Sequence, residues 1–392
     1  MSTIKKVLLI GPPFLYELVD VSLLRENNLT PIFLYEDKST SINAQCCAYV
    51  DRLCVNEVKG LAKKHEVSFI VCFNDNFLID AAKIRTELNL QGMHSVEIER
   101  YKKKSLMCNL LKHNLNTIPY LTVDKDTSYD DVVLLFGEGR YFIKPDYMAG
   151  SEGAGVVTSK KEFLTLQNEI IEKYKIGIIQ PYIDTELFHC ELMVKNGEVI
   201  YKNARKYSYP NFKILSGKII ASLPIKDEKI RLHIEDKACL VQKTLGFKNG
   251  LMHTEFFMEN NQLLFLETNI RQAGGGINLI HKNRLDISME TAMILLETGK
   301  ELKLGNINNK FFTSGYIPRQ KGTVQKTIIP DMQGEVEFNI RVKSGDVLDI
   351  PKTASDASVS YIGEYNSLSK LYEDFVMLEK TDIIVYENKS MQ

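Results

Sequence analysis

The sequence predicts an α/β chain, α+β overall, with a doubly wound N-terminal unit and a small β-rich unit at its C-terminal end. Three observations carry this. Over residues 1–95 short apolar runs alternate with amphipathic stretches, the pattern of a parallel sheet with crossover helices. A glycine-bearing loop, Asp146 to Gly155, joins two apolar runs just after Lys144-Pro145. Past Gly299 the pattern shifts to short strand-like segments.

In order, Lys6–Ile10, Pro31–Tyr35 and Ser68–Phe73 read as strands, with helices at Glu17–Asn27, Glu57–His65 and Asn76–Leu88. Gly11-Pro12-Pro13 ends the first strand, where such sheets place ligands. Asn74 and Asp75 end a later one. A helix follows from Arg100 to His113, beginning in the run Lys102-Lys103-Lys104, which by itself reads as a solvated charge run. Tyr141–Lys144 and Val156–Thr158 read as strands flanking the glycine loop. Such a loop can lay backbone N–H groups on phosphate oxygens while the lysine offsets their charge; a plain hairpin turn explains the glycines equally well. Lys160–Lys173 reads as a helix and Gly177–Ile183 as a strand.

Leu187–Val194 alternates. Phe188, Cys190, Leu192 and Val194 form an apolar face, and His189 and Glu191 share the other. Asn196-Gly197 is a two-residue hairpin signal into Glu198–Tyr201. Lys202 and Arg205 then fall in a polar, aromatic segment ending at Phe212, which reads as a mobile flap. Glu228–Leu245 is an amphipathic helix stopped by Gly246. Leu279–Leu296 is largely helical with a break near Arg284 and Asp286. A final helix near Ser367–Glu379 and a strand Ile383–Tyr386 complete the terminal unit.

The chemistry concentrates in LMHTEFFMENNQLLFLETNIRQAGGG, Leu251 to Gly276. Two apolar runs flank a polar turn and read as a β-hairpin. With a loop at Asn260–Gln262, Glu255 stands opposite Glu267, their Cβ atoms roughly 5 Å apart. Facing carboxylates repel unless a cation sits between them, and carboxylate and amide oxygens suit Mg²⁺ or Mn²⁺. Arg271 and Gly274–Gly276 follow, where a guanidinium and bare backbone can approach an anion.

Composition excludes several classes. The 49 basic and 50 acidic residues nearly cancel, and no dense basic block points to nucleic acid. No apolar run is long enough for a transmembrane helix, so no membrane partner is expected. The N-terminus reads as a first strand rather than a signal peptide. Seven scattered cysteines, an odd number, suit reduced thiols and a cytoplasmic protein; the adjacent Cys46-Cys47 reads as structural. The glycine fingerprint of NAD sites is missing after the first strand, so a dehydrogenase is a poor reading.

Together these motifs resemble, in order, those of the ATP-grasp carboxylate–amine ligases, with the L-amino acid ligases nearest in layout. The resemblance implies a Rossmann-like pre-ATP-grasp domain (1–98), two clamp subdomains (99–182 and 183–300, the second bearing the metal site) and a β-rich C-terminal lid (301–392). It implies ATP and Mg²⁺ (or Mn²⁺) as cofactors. Lys104 and Lys144 resemble the two nucleotide lysines, and Gly150, Ser151 and Gly153 the phosphate-covering loop. Gln180, Tyr182 and Ile183 resemble the adenine-contacting linker, Glu186 the ribose glutamate, and His189-Cys-Glu191 a His-x-Glu run, which implies His189 as a nucleotide contact where the strand pattern alone allows equally a satisfied sheet histidine. Glu255, Glu267 and Asn269 resemble the metal ligands, and Arg271, with Lys144 and Gly275, the catalytic set. Cys108 stands where an arginine is common, and Gln180-Pro181 where glutamates are usual. The implied reaction is ADP-forming amide synthesis through an acyl phosphate, from a small carboxylate such as an amino acid and an amine, in a homodimer. Alternatives are a ligase or carboxylase of another small metabolite and an inactive nucleotide-binding protein.

Overall fold

The computed structural model describes residues 4–36, 47–148, 152–351 and 356–387. Gly150, Ser151 and Cys46 lie outside these described residues.

Strands β1 (Lys5–Ile10), β2 (Leu29–Tyr35), β3 (Cys47–Tyr49) and β4 (Phe69–Cys72) form a parallel sheet in the order β3-β2-β1-β4. Its strands are almost wholly buried, as expected of a sheet covered by helices on both faces. Asp75 opens a 3₁₀ turn, Asp75–Phe77, with two residues between it and the end of β4.

A second sheet contains β5 (Leu121–Val123), β6 (Tyr141–Pro145), β7 (Gly155–Val157) and β8 (Gly177–Pro181), ordered β5-β8-β6-β7. Lys144 sits near the end of β6. The next residue but one, Asp146, is fully buried and turns back to the start of the helix Lys104–Leu111. Its backbone O accepts from Lys104 N at 3.0 Å and its carboxylate from Ser105 N and Oγ at 2.8 and 2.6 Å. An anion at a helix N-terminus is favoured by the exposed N–H groups there, so Asp146 fixes both lysine-bearing elements together.

The largest sheet has eight strands. It runs β13 (Gln262–Asn269), β12 (Gly250–Glu259), β9 (Glu186–Lys195), β10 (Glu198–Tyr207), β11 (Ile220–Pro224), β14 (Phe311–Pro318), β18 (Ala357–Tyr365) and β16 (Glu335–Ile340). The small sheet β17-β15-β19 uses Val347–Leu348, Gly322–Thr327 and Ile384–Tyr386. The eight-stranded sheet continues unbroken across residue 300, so the terminal segment is not a free-standing β unit. One face packs Phe188, Cys190, Leu192 and Val194 against the helix Glu228–Leu245 in a shared core with the N-terminal sheet.

Two elements differ from the sequence expectation. The helix expected over Arg100–His113 is two helices, Ser95–Lys102 and Lys104–Leu111, broken at Lys103. Residues two apart on a continuous α-helix point about 200° apart. The break lets Lys102 and Lys104 both be buried, at 5% and 6% exposure; the basic run is not a solvated face. Likewise β10 continues through Arg205 to Tyr207. Arg205 is buried and donates from Nε to Ser222 Oγ (2.7 Å) and from Nη2 to Phe312 O (2.6 Å). It belongs to the sheet and not to a mobile flap, because these two acceptors and Ser222 O, at 3.0 Å from Nη2, hold its side chain inward.

Candidate active site

The hairpin β12–β13 closes through Asn260-Asn261, both at positive φ (50° and 61°), the geometry that a two-residue turn requires. Glu259 therefore pairs with Gln262. A bulge between Glu255 and Phe256 then shifts the register by one, so that Glu255 pairs with Glu267. The expected pairing is present, by a shorter loop plus a bulge.

Across four strands the same face carries two rows. One is Arg205, His189, Glu255 and Glu267; the other is Asn203, Glu191, His253 and Asn269. At the β13 end the rows open into a cleft of about 280 Å³. Lys104 and Lys144 enter from the opposite wall, their Nζ atoms 3.8 and 3.9 Å from Glu267 Oε2. Both gaps exceed a hydrogen bond. Burial pushes the Glu267 carboxyl up, but Lys104 and Lys144 outweigh it and hold it well below the usual range. Burial also pulls the Lys144 ammonium below its ordinary value, with Glu267 opposing.

Glu255 Oε1 accepts from Asn211 Nδ2 and His253 Nε2, each at 3.1 Å. Asn269 Nδ2 approaches Glu267 Oε1 at 3.4 Å. Glu255, Glu267 and Asn269 all line the cleft. Their donors are oxygens, two of them ionic, and Glu267 meets its lysines only at ion-pair distance. This set fits a hard divalent cation.

Deeper in the same rows lies a closed network. Glu191 Oε1 accepts from His189 Nδ1 at 2.9 Å and from His253 Nδ1 at 2.6 Å, and His189 Nε2 meets Ser222 Oγ at 3.0 Å. His189, Glu191 and His253 are close enough to share a metal ion. Burial opposes charge on His253, but the flanking carboxylates of Glu191 and Glu255 push it up to about 10, so both its nitrogens donate. With Glu191 Oε1 already taken by both imidazoles, the trio is a closed hydrogen-bonded network and a poor cation site.

The cleft's other end is apolar. Phe142 makes an edge contact with Phe212 at 5.1 Å and a tilted one with Tyr182 at 6.4 Å, and Ile183, Leu187 and Phe257 join the wall. Gln180 lines it too, its Nε2 donating to Ile118 O at 3.3 Å.

The structure thus brings Lys104, Lys144, Gln180, Tyr182, Ile183, Glu255, Glu267, Asn269, Arg271 and Gly275 to one cleft. It does not bring His189 or Glu186 there. His189 is fully buried, closed by Glu191 and Ser222, and Glu186 pairs with Lys206 at the surface. Gly153, at φ 69°, packs near Tyr174 and Pro145 beside the lining residues Glu152 and Ala154. Sequence reasoning missed Asn211 and Phe212, which reach the cleft from a 3₁₀ turn, Asn211–Ser216. It also missed Asp146; a lone aspartate in a glycine loop carries no pattern signal.

The fold has counterparts among solved structures. The L-amino acid ligase from Bacillus licheniformis superposes over 99% of this chain and 100% of its own, with a TM-score of 0.79 at 17% identity. The fold is ATP-grasp. The biotin carboxylase domain of the Hydrogenobacter thermophilus 2-oxoglutarate carboxylase, solved with MgADP and bicarbonate, shares the ATP-grasp architecture over 98% of this chain and 92% of its own, with a TM-score of 0.71 at 15% identity. In sequence, the L-arginine-specific L-amino acid ligase of Bacillus subtilis is 23% identical over 229 residues, 54% of either chain. The alignment thus spans about half the length of that curated relative. No family model matches the chain.

Proposed function

We propose that this ATP-grasp chain is an ADP-forming carboxylate–amine ligase acting on a small carboxylate of the amino-acid class. The observation that carries the reading is the Glu255–Glu267 pair facing Lys104 and Lys144 across the cleft. The apolar end, with Phe142, Tyr182 and Phe212, suits a purine ring. Lys104 and Lys144 then meet the triphosphate and offset its charge. Glu255, Glu267 and Asn269 would hold Mg²⁺, which supplies charge stabilisation to the phosphoryl oxygens during transfer.

The acid substrate needs no general base, because a carboxylate is already ionised near neutral pH. It attacks the γ-phosphorus of ATP, forming an acyl phosphate and releasing ADP. Arg271 holds the carboxylate through its planar fork. Gly275 and Gly276, at φ 71° and 75°, lead into the helix Ile277–Leu285, and Gly274, Gly275 and Ile277 line the cleft beside Arg271. An amine then displaces phosphate to give the amide. The relatives' named activities, L-amino acid ligation above all, support an amino acid as the acid partner.

The test is a matrix of amino-acid pairs with ATP and Mg²⁺, scored for phosphate release and product mass. ADP formation that requires an amino acid, with a dipeptide-like mass, is expected. ATP turnover indifferent to every carboxylate contradicts the reading.

A further inference from the structure

Lys102 has no part in the mechanism above, yet it is only 5% exposed. Buried ammonium groups need partners. Its partner is Asp75 Oδ2, with which it forms a buried ion pair. The other carboxylate oxygen, Asp75 Oδ1, lies 3.3 Å from Arg271 Nε, an ion-pair contact without hydrogen-bond geometry. Arg271 also donates from Nη1 to Gln272 O at 2.7 Å, and the same side chain lines the cleft. Burial pushes Asp75 up, but Lys102 and then Arg271 outweigh it and keep it ionised.

The three side chains come from separate parts of the fold. Asp75 follows β4 of the N-terminal sheet, Lys102 ends the helix Ser95–Lys102, and Arg271 follows β13. Gln272 reinforces the junction, its Nε2 reaching Phe73 O at 3.5 Å. Two cations against one anion leave a net charge of +1 beside the cleft. That charge matches one carboxylate.

We propose that Asp75, held in place by Lys102, is a positioning residue that fixes the Nε edge of Arg271 and so aims the rest of its guanidinium at the acid substrate. The N-terminal unit then takes part in acid recognition through Arg271. The identity of the bound acid rests on the ligase reading; the bracing of Arg271 rests on the geometry alone.

The test uses D75N, K102M and K102R in the full chain, with two readouts. The first is the rate at which phenylglyoxal modifies Arg271, followed by peptide mass mapping. An unbraced guanidinium reacts faster, and an increase of about fivefold is expected in D75N and K102M, with K102R near wild type. The second is steady-state kinetics. The KM for the acid should rise about tenfold in D75N and K102M, as when the guanidinium loses its ion-pair brace and meets the carboxylate misaligned, while KM for ATP stays within about twofold. Unchanged modification rates overturn the proposal, as does an equal rise in both KM values. If the wild type shows no acid-dependent ADP release while the modification rates still separate, the ligase reading falls and the bracing stands. If K102M does not fold, D75N, isosteric and uncharged, decides.

Discussion

Two charged groups occupy the same face of the same sheet and behave differently. In the deep network, Glu191 takes short hydrogen bonds from two imidazoles, at 2.9 and 2.6 Å, and is 1% exposed. At the cleft, Glu267 meets two lysines only at 3.8 and 3.9 Å, and its side chain is 16% exposed. Both carboxylates are held well below their usual range after burial is overcome. Charge and burial therefore do not separate structure from function here. Hydrogen-bond closure does: the inner group is complete, and the outer one keeps room for another ligand.

The comparison can be broken most sharply at Glu267. E267Q should lower acid-dependent ADP formation on the order of a thousandfold, since several kcal/mol of charge stabilisation is lost, while the melting curve stays near wild type. Wild-type rates would remove the cation assignment. The opposite signature is expected at His189. H189A should remove one hydrogen bond from the buried Glu191 carboxylate and open a cavity, lowering folding stability by about 3 kcal/mol, as read by urea denaturation. A stable H189A protein with lost nucleotide binding would exchange the roles of the two groups.

A smaller effect is expected at the opposite wall. K144A should weaken nucleotide binding by about 2 kcal/mol, roughly thirtyfold, the worth of one contact to a charged group. Unchanged affinity by calorimetry would leave Lys144 a structural partner of Glu267. The finest distinction is at Arg271: R271K should raise the KM for the acid to within about threefold of R271A, because a point charge does not replace a planar fork. A fully active R271K would mean that Arg271 merely packs.

How much of this was legible in the sequence follows the same division. Strands repeat every second residue, so the shared face of His189 and Glu191, and that of His253 and Glu255, could be read directly. The Glu255–Glu267 pairing was legible although the route to it was not, since a two-residue turn plus a bulge gives the same register as a longer loop. The lysine run was misread because helical periodicity assumes a continuous helix, and the break at Lys103 lets Lys102 be buried as well as Lys104. Arg205 was misplaced because its acceptors, Ser222 and Phe312, come from strands far along the chain. Asn211 and Phe212 reach the cleft from a turn, where no periodicity marks a direction; Asp75 was marked as a strand-end position, but its partners Lys102 and Arg271 were not.

The central claim is that Glu255 and Glu267 jointly hold a divalent cation beside the nucleotide phosphates. Its most direct test is Mn²⁺ binding followed by electron paramagnetic resonance, with and without ADP, in the wild type, E255Q and E267Q. The account predicts nucleotide-dependent Mn²⁺ binding in the wild type and its loss in both variants. Mn²⁺–ADP binding in E255Q and E267Q equal to that of the wild type would contradict it.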